Sequence, residues 1–181
     1  MPRRTALLPV ALPVALPAAL LLAGCASVDE DAVAAIADLP AVTSAQTSCD
    51  VGECRVAVTV EGDVTADRLA AIVAAGRGAE GDEVRVRRDL RSPGGATWQL
   101  VVHTDSPADD DPALAAAVLD LAGVPGTTAV WMVREPSGTD VEVTVDGARD
   151  VAELRADVDP LVAGLPDVAV DVVAAADADR E

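Results

Sequence analysis

Val56-Ala57-Val58-Thr59-Val60-Glu61-Gly62 alternates strictly, with Val56, Val58 and Val60 on one face and Ala57 and Thr59 on the other. Period-two alternation of this kind marks a strand with one side in a core and one side free. The string returns 85 residues later as Val141-Glu142-Val143-Thr144-Val145-Asp146-Gly147, and both copies run straight into a helical pattern. Ala37-Asp38-Leu39 likewise matches Leu119-Asp120-Leu121, at an offset of 82. Two copies of one supersecondary unit account for both matches.

Working outward from these strings, a short helix spans Asp29 to Leu39, with Val33, Ile36 and Leu39 on one stripe, and Pro40 ends it. Val42 to Thr47 and Arg55 to Val60 read as a hairpin. A helix follows from Thr65 as N-cap to Ala75, stopped by Gly76 and Gly78, and then a strand at Val84 to Arg87. Arg91-Ser92-Pro93-Gly94-Gly95 breaks the pattern. Beyond it come strand Thr97 to His103, helix Pro112 to Ala122, strands Thr127 to Arg134 and Asp140 to Val145, helix Val151 to Ala163, and strand Asp167 to Val173. The second half therefore reads βαββαβ, the ferredoxin-like order, and the first half αββαβ, the same plan without its first strand. The expected class is α+β: two tandem ferredoxin-like units with antiparallel sheets, residues 25–90 and 97–174, joined by a linker at 91–96 and followed by an acidic tail at 175–181. The missing strand leaves a sheet edge that needs cover.

The N-terminus has a different character. Arg3 and Arg4 precede an apolar run from Ala6 to Leu22, which Pro9, Pro13 and Pro17 interrupt, and the run closes on Leu22-Ala23-Gly24-Cys25. Charge, apolar stretch and small-residue site in that order make a signal peptide, whereas prolines every fourth residue disfavour a permanent membrane helix. The closing motif resembles the lipobox of bacterial lipoproteins. That resemblance implies cleavage after residue 24, a lipid on the Cys25 thiol, and a protein held by that lipid on the outer face of the cytoplasmic membrane; two acyl chains hold stably where one does not.

Composition narrows the partners. The 181 residues carry 31 acids against 13 basic residues, all arginine, for a formal charge of −18, and removing the signal segment takes away two arginines and no acid. So acidic a chain repels nucleic acid and anionic lipid heads. Phe and Tyr are absent, so Val, Leu, Ile and Ala must build the core. No cofactor motif is present, and no nucleophile sits in a G-x-S-x-G elbow.

Cys49 and Cys54 flank the four-residue turn of the first hairpin and, outside the cytoplasm, form a disulfide staple; the spacing is not the C-x-x-C of redox chemistry. Leu39 to Val42 is similar to the helix-to-strand junction of heavy-metal-associated domains, but that family's metal loop is missing and no metal site is carried over. Asp105, Asp109, Asp110 and Asp111 offer hard oxygens for calcium, although without EF-hand spacing; Asp111 also suits a helix N-cap, with Pro112 at the first helical position. His103, the only histidine, shares a strand face with Thr97, Gln99 and Val101, and a catalytic triad would need it beside Ser92, Ser106 or Ser137. Trp98 faces the core, and Trp131 is an exposed anchor on an edge strand.

Charge separates the two copies. Arg85 and Arg87, beside Arg55 on the neighbouring strand, point from the open face of the first sheet and form a candidate anion site; the matching positions of the second copy are Glu142, Thr144, Ala169 and Asp171. The two open faces are expected to meet or to flank a shared groove. The function expected from all this is a lipid-anchored, non-catalytic interaction module with an envelope protein as partner, and the rival is a lipoprotein binding a small anion or calcium. Replacing Cys25→Ser should move the protein from the membrane to the soluble fraction and abolish a lipid-sized increment in its intact mass; an unchanged mass and distribution would disprove the anchor.

Overall fold

The computed structural model describes residues 28–50, 53–90, 95–147 and 150–175. Cys25 and the signal-like segment, residues 91–94 of the expected linker and residues 176–181 of the expected tail lie outside them. The chain runs α1 (Glu30–Ala37), β1 (Val42–Asp50), β2 (Glu53–Val60), α2 (Ala66–Arg77), β3 (Glu83–Arg88), β4 (Thr97–His103), a 3₁₀ turn at Ala108–Asp110, α3 (Asp111–Gly123), β5 (Thr127–Glu135), β6 (Gly138–Val145), α4 (Val151–Val162) and β7 (Val168–Ala174).

The α+β class and the element order follow the alternating and helical patterns of the sequence. The strand pairing does not. In a ferredoxin-like unit the first and third strands lie side by side at the centre. Here all seven strands form one sheet in chain order, β1 to β7. Antiparallel pairs β1/β2, β3/β4 and β5/β6 alternate with parallel pairs β2/β3, β4/β5 and β6/β7, each parallel pair bridged by a helix. The sheet is mixed, and it runs unbroken across the expected linker, because β4 turns back onto the free edge of β3. Element order alone is compatible with both pairings, and the difference lies in which edge each returning strand finds.

The helices line up along one face, α1 against α2, α2 against α3 and α3 against α4. Beneath them Val56, Val58, Val60, Val84, Val86, Leu100, Met132, Val141, Val143 and Val145 form a single core with Leu69, Ile72, Leu114, Leu121 and Leu154 from the helices. Trp98 lies in this core as its alternation requires, 4% exposed. Each fully buried Val or Leu contributes roughly 1.5–3 kcal/mol, so many small apolar residues stand in for the absent aromatics.

The repeat extends to backbone detail, although the β2/β3 pair Val56–Val84 answers to Val141–Val170, one residue beyond the offset in the last strand. β1, β2, α2 and β3 recur as β5, β6, α4 and β7, each starting 85 residues on. The irregularity in the β1/β2 ladder between Val42 and Ser44 recurs between Thr127 and Ala129, and the Thr43 hydroxyl donates to the Thr59 carbonyl as Thr128 does to Thr144. Ala41 and Gly126, each following a proline, adopt positive φ of 73° and 91°, and their carbonyls accept from Glu61 and Asp146. The helix ends obey the same offset: the Leu39 amide donates to Ile36 and the Val124 amide to Leu121. The Leu119–Leu121 match at 82 is therefore a chance likeness, and Ile36 corresponds to Leu121.

Gly76, expected to stop α2, lies inside it, and Gly78 is the C-cap. A Cβ at Gly76 would come within 2.5 Å of the Val84 side chain, so this glycine sets how closely α2 approaches β3. Gly76→Ala should lose about 1–3 kcal/mol to overpacking despite gaining about 1 kcal/mol of helix propensity, read as a lower urea midpoint; a raised midpoint would refute the close-packing role.

Candidate interaction surface

With every helix on one side, the alternate residues of all seven strands form an open face. Their register places them in rows across the sheet. One row runs Ser44, Thr59, Arg87, Gln99, Trp131, Glu142, Asp171, and the next runs Gln46, Ala57, Arg85, Val101, Val133, Asp140, Ala169. The basic and acidic faces expected to meet thus lie side by side on one surface, because the two units share one sheet. β2 and β3 carry the arginines, β6 and β7 the acids, and β4 and β5 separate them with Val101, Val133, Gln99 and Trp131.

Trp131 is 46% exposed. It sits on an interior strand between β4 and β6, not on the edge strand expected for it, so its exposure comes from the uncovered face. Val101 and Val133 beside it are already buried, under 8% exposed, which leaves the indole as the raised apolar feature. A shallow hollow of about 250 Å³ runs from Arg87 and Leu90 past Gln99 to Trp131 and Glu142, linking the basic half to the acidic half.

Arg55, Arg85 and Arg87 do share this face, but Glu83 sits among them. Its carboxylate lies 2.8 Å from the Arg85 guanidinium and 3.8 Å from that of Arg55. Two of the three arginines therefore already have an anion, and Arg87 projects most freely, its Nε donating to the Thr59 hydroxyl at 3.4 Å. Asp140, Glu142 and Asp171 are exposed and have no cation paired with them among the described residues.

The acidic loop is differently employed. Asp111 begins α3 and is not its N-cap; Asp110 holds that position, without a capping bond. The Asp111 carboxylate, 4% exposed, accepts a bidentate pair from Arg77 at 2.7 and 2.9 Å. Arg77 also donates to the carbonyls of His103, Thr104 and Ser106 and to the Ser106 hydroxyl, so one guanidinium from the end of α2 folds the whole β4–α3 connection around itself. Asp110 pairs with the buried Arg134 at 2.8 Å, while Asp105 and Asp109 point into solvent. No three metal-ligating side chains gather among the described residues, so the four candidate carboxylates are not brought together. The sequence signal missed here is Arg77 itself, a single arginine at a helix C-terminus with nothing nearby in sequence to mark its partner.

His103 lies at the end of β4 opposite Glu83. The Ser106 hydroxyl donates to the His103 backbone carbonyl at 2.6 Å, so this serine is engaged by the main chain. Cys49 and Cys54 are disulfide-bonded across the end of the β1/β2 hairpin, with Cα atoms 4.1 Å apart. In the second unit Arg134 and Thr139 hold the equivalent paired positions. No described helix is long and apolar enough to cross a membrane.

No protein-family model, no curated protein and no solved structure matches the chain.

Arg77→Met should cost about 3–5 kcal/mol by stranding the Asp111 carboxylate in the interior. The Arg77→Met/Asp111→Leu double variant should recover much of that loss in denaturant unfolding; additive losses would show that the two groups do not act as a pair.

Proposed function

We propose that this protein is a non-catalytic interaction module, exported and tethered by a lipid on Cys25 to the outer face of the cytoplasmic membrane, which binds a macromolecular partner in the envelope through the open face of its sheet. The observation that carries this reading is Trp131, half exposed near the middle of a seven-stranded face that no described helix covers. An aromatic side chain fixed on a rigid strand and ringed by polar residues is the usual form of a binding hot spot, since its area is large and little entropy is lost on contact. The rows of Arg and Asp or Glu on either side supply the polar rim that sets register.

The anion and calcium readings have less support. Glu83 already neutralises part of the arginine group, and Arg77 and Arg134 already occupy Asp111 and Asp110. The offset of 85 shared by β1, β2 and α2 with β5, β6 and α4 also supports descent of both halves from one duplicated αββαβ unit, with β4 as the strand inserted between them.

A photoreactive residue in place of Gln99, beside Trp131, should give a discrete covalent adduct when the full chain is expressed in a bacterial envelope. The same residue in place of exposed Arg68 on the helical side should give none, and Trp131→Ser should abolish the Gln99 adduct. Adducts from both sides, or from neither, would refute the sheet face as the binding surface.

A further inference from the structure

The open face is complementary to itself. We infer that its partner is a second copy of this chain, packed sheet to sheet about a two-fold axis that lies parallel to the strands, between β4 and β5. The inference rests on the reading of that face as the binding surface and names what binds there.

The geometry follows from the rows. Two identical faces related by a two-fold must have that axis in the plane between them, and an isologous contact then repeats every pairing twice. An axis parallel to the strands between β4 and β5 lays β3 of one copy over β6 of the other, β4 over β5 and β2 over β7. Position along the strand is preserved, so each row meets itself reversed. Arg87 of one copy then faces Glu142 of the other, and Arg85 faces Asp140. Val101 meets Val133, Gln99 meets Trp131, and the small Ala57 meets the small Ala169. An axis perpendicular to the strands would instead lay β3 on β3 and oppose arginine to arginine. Charge therefore selects one of the two orientations.

The contact also fits the dimensions of stacked sheets. Packed sheets lie about 10 Å apart with their strands within about 30° of each other, a gap that facing Arg and Glu side chains span. Six strands about 4.8 Å apart and about 20 Å long give about 580 Å² of plane on each copy, so more than about 1,000 Å² in total, the lower end of specific interfaces. The net negative charge of each copy opposes approach at long range, but at physiological ionic strength it is screened beyond about 8 Å while the facing pairs are not. Once desolvated, Trp131 supplies the apolar burial and the charged pairs supply the register. The three acids without cation partners among the described residues and the arginine-rich strand across the face from them are then two halves of one contact.

The test is a charge swap on the full chain, purified in non-ionic detergent and followed by sedimentation at physiological salt. Wild type should self-associate as a dimer between micromolar and millimolar concentration. Arg85→Glu/Arg87→Glu makes both ends of the face acidic, Asp140→Arg/Glu142→Arg makes both ends basic, and each alone should weaken self-association by about tenfold or more. Mixing the two variants should restore a dimer containing one of each. Because Arg85 also contacts Glu83, circular dichroism should show both variants folded, and the acidic-side variant, altered only at exposed residues, decides the matter if the other does not fold. A wild type that stays monomeric, or a mixture that stays monomeric with both variants folded, would overturn the two-fold. If the Gln99 adduct then proves to be a different protein, the binding face stands and the second copy does not; if no adduct forms, the binding face itself fails.

Discussion

A single guanidinium, that of Arg77, ties α2 to the connection between β4 and α3, beside the β3/β4 ladder that joins the two halves in one sheet. Arg77 closes α2, the last helix of the first repeat, and its donors reach the Asp111 carboxylate that opens α3 and three carbonyls of the loop before it. The His103 carbonyl also accepts from the Ser106 amide and hydroxyl, so the guanidinium completes a knot of hydrogen bonds in this turn. Asp111 in turn is buried only because its charge is met in fork geometry. Arg77 thus fixes how the loop and the first turn of α3 sit against α2, in addition to the apolar packing of the two helices. The seam between the repeats therefore carries one polar, specific contact beside an apolar core.

The four described helices lie on the same side, each against the next, and no described helix covers the opposite side of the seven strands. The strands alternate between the faces: most valines point inward, and arginine, glutamine, tryptophan and acid outward, with Val101 and Val133 the outward valines. Duplication of one unit would be expected to give two similar outward patches. Instead the copies have diverged in charge at equivalent positions, Ala57 against Glu142 and, on the strands paired with them, Arg85 against Asp171, on either side of the same valine frame. A face with opposite signs at its two ends and an aromatic near its centre resists stacking at random and favours one mutual orientation.

The helix-to-strand junctions show how the same local device is reused. Leu39-Pro40-Ala41, Val124-Pro125-Gly126 and Leu165-Pro166-Asp167 each follow a helix with an apolar residue, a proline and a residue at positive φ. The proline ends the helix by withholding a donor, and the left-handed residue turns the chain back along the sheet. Only one of the three uses glycine, so strain at Ala41 and Asp167 is tolerated because the flanking core residues hold the turn.

The sequence alone determined the elements. Every helix and strand was legible from alternation, apolar stripes and turn residues, as were the hairpin cysteines, the inward Trp98 and the outward arginines, because each of these depends on residues close in the chain. The resemblance of Leu22-Ala23-Gly24-Cys25 to a lipobox was equally legible, since it too rests on neighbouring residues. Tertiary structure decided which strands pair, that one sheet replaces two, and that the acidic loop serves Arg77 and Arg134. It also decided that Trp131 is exposed at the middle of the face and not at its edge. Those outcomes turn on which free edge a returning strand meets and on which buried carboxylate a distant guanidinium reaches. No local period in the sequence encodes either, since both are settled by the packing of residues tens of positions apart.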